Sequence, residues 1–258
     1  MNGIELKEIW HSATPSFGAF VTSTDPMVSA IICNVGYEWL ILDAEHAPYN
    51  PETLRSLVAV VKSRGTVPLI RVADNDAALI KQALDLGAEG IMVPLLQTAE
   101  DARRAVAACR YPPQGIRGYN PRDASNFFFE KEEYTRTINE RVIVMLQVEH
   151  VLAVQNMDEI LAVAGVDAVF IGPSDLSYSL GHPLQIGHPE VQAAMDTVVR
   201  KCNAARIPVG TIINGTSEEL AGYIRRGMNF IIPYADFRGI TISASEALQG
   251  MRRASGGR

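Results

Sequence analysis

Cysteine is scarce: the 258 residues hold only Cys33, Cys109 and Cys202, and no two form a CxxC pair. That excludes a disulfide framework and a cysteine-rich zinc site, and leaves small buried hydrophobes in a reducing cytoplasm. No apolar run reaches the roughly 20 residues that cross a bilayer. The opening MNGIELKEIWHS is polar and amphipathic, unlike a secretory leader, so no membrane association is expected. Basic residues are outnumbered, with 23 Lys and Arg against 29 Asp and Glu and a net charge of −6. Nucleic acid and anionic lipid would require the opposite balance on one face, and neither is an expected partner. No GxGxxG turn follows the first strand-like run, so a dinucleotide fold lacks its signature and no organic cofactor is expected. Lysines number five, Lys7, Lys62, Lys81, Lys131 and Lys201, all in presumed helices or a long loop. A Schiff-base mechanism requires one at a strand end, so an imine route is not expected.

What is present is an eightfold alternation. Short β-branched runs at 17–23, 39–43, 67–72, 90–95, 142–149, 168–172, 208–213 and 229–234 alternate with segments of helical period. The helical segments include 51–64, 76–86, 99–110, 151–164, 189–206 and 217–226. Asn50-Pro51 reads as a cap followed by a first-turn proline. Gly65, Gly87, Gly165 and Gly227 read as helix terminators. Strands this apolar are covered on both faces, which means a parallel sheet. The length is near the roughly 250 residues of a complete α/β barrel. The expected architecture is a single (β/α)8 TIM barrel of class α/β spanning residues 1–258, with a frayed tail at 255–258. The irregular segment 111–129 is long enough to expect a functional loop.

In such a barrel the site is built at the C-terminal strand ends. Strand two ends LILDAEH, giving Asp43, Glu45 and His46; strand three ends in Arg71. Strand five supplies Gln147, Glu149 and His150, and strand six runs into Ser174 and Asp175. Charges leaving apolar strands are costly to bury unpaired, and so many on one rim point to a site. Glu149 and Asp175, on neighbouring strands, suit a hard divalent cation such as Mg2+ or Mn2+, unless each merely caps the following helix. Arg71 could hold a carboxylate or stabilise an enolate oxygen, or could form an internal ion pair with Asp43 or Glu45. Asp43 and His46 could form a carboxylate-oriented imidazole base. His182 and His188 fall in a Gly/Pro loop, where solvated histidine is the default reading. The loops 214–217 and 235–239 lack a glycine-rich amide cradle for phosphate.

The segments LILDAEHAPYN, PLIRVADND, IKQALDLGAEGIMVPLLQTAEDARRAVAACRYPPQGIRG, LQVE and GVDAVFIGPSDLS, followed by HPEVQAA, resemble the HpcH/HpaI family of metal-dependent class II pyruvate aldolases. The resemblance implies cleavage or formation of the C3–C4 bond of 4-hydroxy-2-oxo acids, giving pyruvate and an aldehyde through a metal-stabilised enolate. It implies Glu149 and Asp175 as ligands to Mg2+, Mn2+ or Co2+. Gln147 and Gly172, Pro173 and Ser174 would lie at the pyruvyl carboxylate. Arg71 would reach the keto oxygen, and Asp43 with His46 would form the acid–base dyad. It also implies a homo-oligomer, a hexamer or trimer, with an exchanged C-terminal helix. Two stretches depart from the family pattern, YNPRDASNFF after Arg117-Gly118 and IIPYADFRG in the eighth strand, and both are expected to border the aldehyde side. His150, where the family more often has a small hydroxyl residue, is a third departure. The alternatives are an oxaloacetate decarboxylase or a CoA-dependent malyl lyase on the same enolate platform. The latter would need an added C-terminal acid, and none is visible. A non-catalytic acid-binding barrel would be expected to lack the Asp43–His46 pair.

Overall fold

A computed structural model describes residues 1–255; the expected fraying of the tail falls, from residue 256 onward, outside the described residues. The first half runs α1 (Gly3–His11), β1 (Ser16–Val21), α2 (Pro26–Val35), β2 (Trp39–Asp43), α3 (Pro51–Ser63), β3 (Val67–Arg71), α4 (Ala77–Asp85), β4 (Gly90–Val93) and α5 (Ala99–Cys109). The second half runs α6 (Lys131–Arg141), β5 (Ile143–Val148), α7 (Val151–Gln155), α8 (Met157–Leu161), β6 (Ala168–Ile171), α9 (Pro173–Ser179), α10 (Pro189–Ala205), β7 (Val209–Ile212), α11 (Ser217–Arg225), β8 (Phe230–Ala235) and α12 (Asp236–Ala254). The strands pair in parallel in chain order and close, β8 against β1, into one (β/α)8 barrel. Strand bounds agree with the expected runs to within two residues; β2 matches, β1 begins and β8 ends one residue outside, and the other edges coincide or fall inside where the polar ends turn into loops.

Alternation along the strands decides which side chains fill the barrel. Trp39 and Ile41 on β2, Val67 and Leu69 on β3, Ile143 and Met145 on β5, and Phe170 on β6 belong to one interior cluster. Their neighbours Leu40, Val144, Val169 and Ile171 belong to a second cluster shared with the helices. Two residues further along each inward row lie Asp43, Arg71 and Gln147, so the same period of two that packs the floor delivers the polar groups to the mouth. The opposite end is closed by α1. Its Trp10 is fully buried against Phe230 and Trp39, with ring centroids 4.7 and 5.5 Å away. Three capping features begin α1, where Asn2 accepts from Ile4 and Glu5 while Glu5 accepts from Asn2. The terminators Gly65, Gly87, Gly165 and Gly227 all have positive φ, as their sequence positions imply.

One irregularity shapes the mouth. Along β1 the pairing steps from Phe17 to Ala19 while β8 steps from Ile231 to Tyr234, a bulge containing Pro233. Proline has no N–H for the ladder and is tolerated at such a bulge. The extra residue reverses parity. Tyr234 turns outward onto Tyr37, ring centroids 6.3 Å apart, and Ala235 turns inward.

Glu89, just ahead of β4, is almost fully buried and takes both arms of the Arg141 guanidinium, the Lys62 ammonium and the Gly3 N–H. Burial pushes its carboxyl pKa up, but these donors more than offset that and hold it below the usual range. A depressed carboxyl contributes stability that is present above its unfolded value near pH ~4.3 and lost as pH falls through the folded value. Glu89→Gln leaves a half-buried Arg141 without its carboxylate and is expected to cost about 3 kcal/mol. Urea unfolding at pH 7 checks this, and the difference from wild type should shrink as the pH is lowered below 4.

Candidate active site

The barrel mouth holds a cavity of about 560 Å3 lined by polar strand ends over an apolar floor of Phe20, Phe170 and Ile212. Asp43, His46, Arg71, Gln147, Gly172, Pro173, Ser174 and Asp175 all line it. Of the expected site residues only Glu149 lies behind the wall. It is buried, its Oε1 accepts the Leu95 N–H at 2.7 Å, and its Oε2 accepts the Gln147 amide. Burial pushes the Glu149 carboxyl up; the Leu95 and Gln147 donors and Arg71 oppose this, while Asp175 raises it further.

These residues fit a hard cation. Gln147, having given its amide N–H to Glu149, leaves Oε1 buried with no donor among the described residues. A Cβ at Gly172 would lie 2.9 Å from Glu149 Oε2, so glycine keeps the approach to that carboxylate open. Asp175 does not cap α9; the cap position is Gly172, and Asp175 lies within the first turn. Two carboxylates and an amide oxygen at the ends of adjacent strands would make an all-oxygen set of the kind Mg2+ and Mn2+ take.

Arg71 forms the internal ion pairs that one sequence reading allowed, with both Asp43 and Glu45, and still lines the cavity. Its Nε and Nη2 donate to Asp43 at 2.9 and 2.8 Å, Nη1 lies 3.0 Å from Glu45, and the guanidinium sits 4.8 Å over the Phe20 ring. The ion pairs lock the fork while its edge lines the cavity. The expected Asp43–His46 dyad is not formed. Asp43 is occupied by Arg71 and reaches His46 only through the backbone N–H, at 3.4 Å. The carboxylate nearest the imidazole is Glu45, Oε2 to Nε2 3.6 Å, and the imidazole is largely exposed. The sequence offered Glu45 only as an ion-pair partner of Arg71, which it is, and not as the neighbour of the imidazole. Burial raises its carboxyl, Arg71 and His46 lower it, and Glu149 and Asp43 raise it again, so it sits inside the same charge cluster.

The divergent segments separate. In the eighth strand, the bulge sends Tyr234 away while Ala235, Phe237 and Arg238 line the cavity. The loop 119–129 does not border it, contrary to expectation. Asp123 accepts from Arg55 of α3, and Phe127 lies under the same guanidinium at 5.8 Å, so this loop packs on the outside of the barrel. His150 also points elsewhere, capping α7 through the Leu152 N–H. His182 and His188 are not simply solvated. Their rings stack at 3.5 Å, and His182 pairs with Glu190 at 2.8 Å, outside the cavity lining. All three cysteines are buried, as expected, and burial pushes Cys109 and Cys202 up to about 12.

Among known proteins, the profile of the HpcH/HpaI aldolase/citrate lyase family matches residues 16–233, from β1 through most of β8. The 2-dehydro-3,6-dideoxy-6-sulfogluconate aldolase of Pseudomonas putida is 35% identical over 235 residues, covering 91% of this chain and 92% of that protein. The 2-keto-3-deoxy-L-rhamnonate aldolase of Escherichia coli K12 is 40% identical over 201 residues, covering 78% of this chain and 75% of that protein. A solved HpcH/HpaI aldolase/citrate lyase family protein from Burkholderia cenocepacia J2315 superposes with a TM-score of 0.90 at 32% identity, covering 96% of this chain and 99% of that one. The chain belongs to the HpcH/HpaI aldolase/citrate lyase family and is a carbon–carbon lyase.

Proposed function

We propose that this cavity cleaves 4-hydroxy-2-oxo acids between C3 and C4, giving pyruvate and an aldehyde, and runs the reverse addition. The observation that carries the reading is the buried Glu149–Gln147 pair beside Asp175, facing a locked Arg71 in a cavity without lysine. Glu149 and Asp175 would hold a divalent cation, Mg2+, Mn2+ or Co2+, which when bound supplies Lewis-acid polarisation of the keto oxygen. Arg71 donates to that same oxygen and follows its charge as the enolate develops. His46 takes the proton of the 4-hydroxyl. The O–H electrons become the aldehyde C=O, the C3–C4 pair passes into the pyruvate enolate, and C3 then takes up a proton to give pyruvate. Glu45, not Asp43, stands beside the imidazole and orients it, while Asp43 holds Arg71 in register. Phe20 and Phe170 keep the floor dry, which strengthens each of these contacts.

The protein is read as cytoplasmic and oligomeric. No helix among the described residues is long and apolar enough to cross a membrane. Helix α12 buries only Asp236 and exposes Phe237, Ile240, Leu248 and Met251, while α2 exposes Met27, Ile31 and Val35. Apolar faces of that extent call for cover, which supports an exchanged C-terminal helix in a trimer or hexamer. Light scattering on a chain truncated after Ala235 should report loss of the assembly.

The function is tested by incubating pyruvate, Mg2+ or Mn2+ and a panel of aldehydes and following pyruvate consumption. Borohydride added with pyruvate should leave activity intact. Lys7 is tied to Asp167 and the Glu140 carbonyl, Lys62 to Glu89 and Lys201 to Asp158, and no lysine lines the cavity. A reduced pyruvyl–lysine adduct that tracks with lost activity would reverse the assignment to a class II mechanism.

A further inference from the structure

The cavity has two unlike walls. The groups assigned to pyruvate come from β3, β5 and β6. The opposite wall is Thr22 after β1, Ile212 and Asn214 at β7, and Ala235, Phe237 and Arg238 at β8. In an eight-stranded ring β8 stands three strands from both β3 and β5. A substrate whose keto acid lies at Arg71 and Gln147 therefore points its far end at Arg238.

Arg238 is unusual among the charges of this cavity. Arg71 is already ion-paired with Asp43 and Glu45. Arg238 is half-buried in the wall and has neither an ion pair nor a hydrogen bond among the described residues. It also occupies the first turn of α12, where the helix dipole disfavours a cation and the acidic residue is Asp236. Stability therefore gives no reason for a guanidinium at this position. Its placement is nonetheless fixed. Asp236 accepts from the Thr22 N–H, Thr22 Oγ1 and Ser23 N–H at 2.7–2.9 Å, pinning the start of α12 to the end of β1. On its other side Gly239 packs so closely that a Cβ there would meet the Tyr234 ring at 2.1 Å. The bulge at Pro233, the Asp236 clamp and Gly239 together hold an unpartnered guanidinium on the side of the cavity remote from the keto acid.

We propose that Arg238 is the specificity-determining residue for the aldehyde fragment and that it reads an anionic group at the end remote from the new bond. The inference rests on the aldolase reading above. The chemistry it selects is a singly charged acid, a carboxylate or a sulfonate, which a planar fork engages through two parallel N–H groups. A phosphate would be expected to use backbone amides as well, and the loops after β7 and β8 have no glycine-rich cradle.

The experiment measures kcat/KM for pyruvate addition to matched aldehydes with Mg2+ present: succinic semialdehyde against butanal, and 3-sulfopropanal against propanal. Wild type should prefer the charged member by about 10–100-fold, the range of a charge-assisted hydrogen bond. Arg238→Ala should abolish that ratio, Arg238→Glu should invert it, and Arg238→Lys should keep part of it. The two charged aldehydes separate carboxylate from sulfonate readers, and either preference supports the proposal. Aldehyde turnover with a charged-to-neutral ratio that Arg238→Ala leaves unchanged overturns it while the aldolase reading stands. Absence of turnover with every aldehyde overturns both. Circular dichroism of each variant guards the ratio against misfolding, and a ratio taken within one variant is insensitive to its active fraction.

Discussion

Glu149→Ala is expected to lower aldol cleavage by on the order of a thousandfold or more while leaving a folded barrel. A cation acting as Lewis acid supplies several kcal/mol of charge stabilisation, and each 1.36 kcal/mol is tenfold in rate. Glu149 is the buried carboxylate of the oxygen set, and its removal also releases the Gln147 amide and the Leu95 N–H. The variant should bind Mn2+ far more weakly, as read by titration followed through water-proton relaxation. Its unfolding transition should remain cooperative, because the barrel floor and helices do not depend on this carboxylate. A strong chelator should reproduce the loss in wild type, with recovery on adding Mg2+, Mn2+ or Co2+. Metal affinity should also weaken at acid pH earlier than for an ordinary carboxylate site. Burial has raised the Glu149 pKa, and the protonated form is no ligand. Full activity in thoroughly stripped enzyme would remove the cation from the account.

His46→Ala is expected to slow aldol cleavage by about 10²–10⁴-fold, the range for a positioned acid–base group. Oxaloacetate decarboxylation should fall much less, because it forms the same pyruvate enolate without removing a hydroxyl proton. Glu45→Gln should lie between wild type and His46→Ala for cleavage, since it removes the carboxylate 3.6 Å from the imidazole but keeps the imidazole. Asp43→Asn should instead damage both reactions, because it releases two of the contacts that fix Arg71. Equal losses in both reactions for His46→Ala would make the histidine a positioning residue for substrate, and the base would have to be sought elsewhere.

The contrast between Asp43 and Glu45 marks where sequence reasoning stops. The barrel itself was legible because alternation and apolar runs depend on neighbours one or two residues away. The row Trp39–Ile41–Asp43 shows at once that an inward-facing acid must cap an inward-facing strand. Which acid then serves which cation depends on the reach of Arg71 across from β3, a distance no local pattern contains. The same holds for the eighth strand. The sequence marked IIPYADFRG only as a departure from the family pattern; the pairing of Ile231 and Tyr234 with β1 reveals that parity flips and that Arg238 faces inward. The loop 119–129 was misplaced because divergence from a family pattern says that a segment differs, not which side of the helices it packs on. The plug formed by Leu6 and Trp10 is not legible in the sequence either, since a short amphipathic helix before the first strand does not declare which end of the barrel it packs on.

The central claim is that this site generates the enolate of pyruvate, and that claim is testable without knowing the natural aldehyde. Wild-type protein with Mg2+ or Mn2+ and pyruvate in D2O, followed by proton NMR, should exchange the pyruvate methyl protons well above the buffer rate. The exchange should disappear on chelation and fall sharply in Glu149→Ala and Arg71→Ala. Methyl exchange no faster than buffer in the metal-loaded wild type, or exchange indifferent to chelator and to both substitutions, would contradict the account.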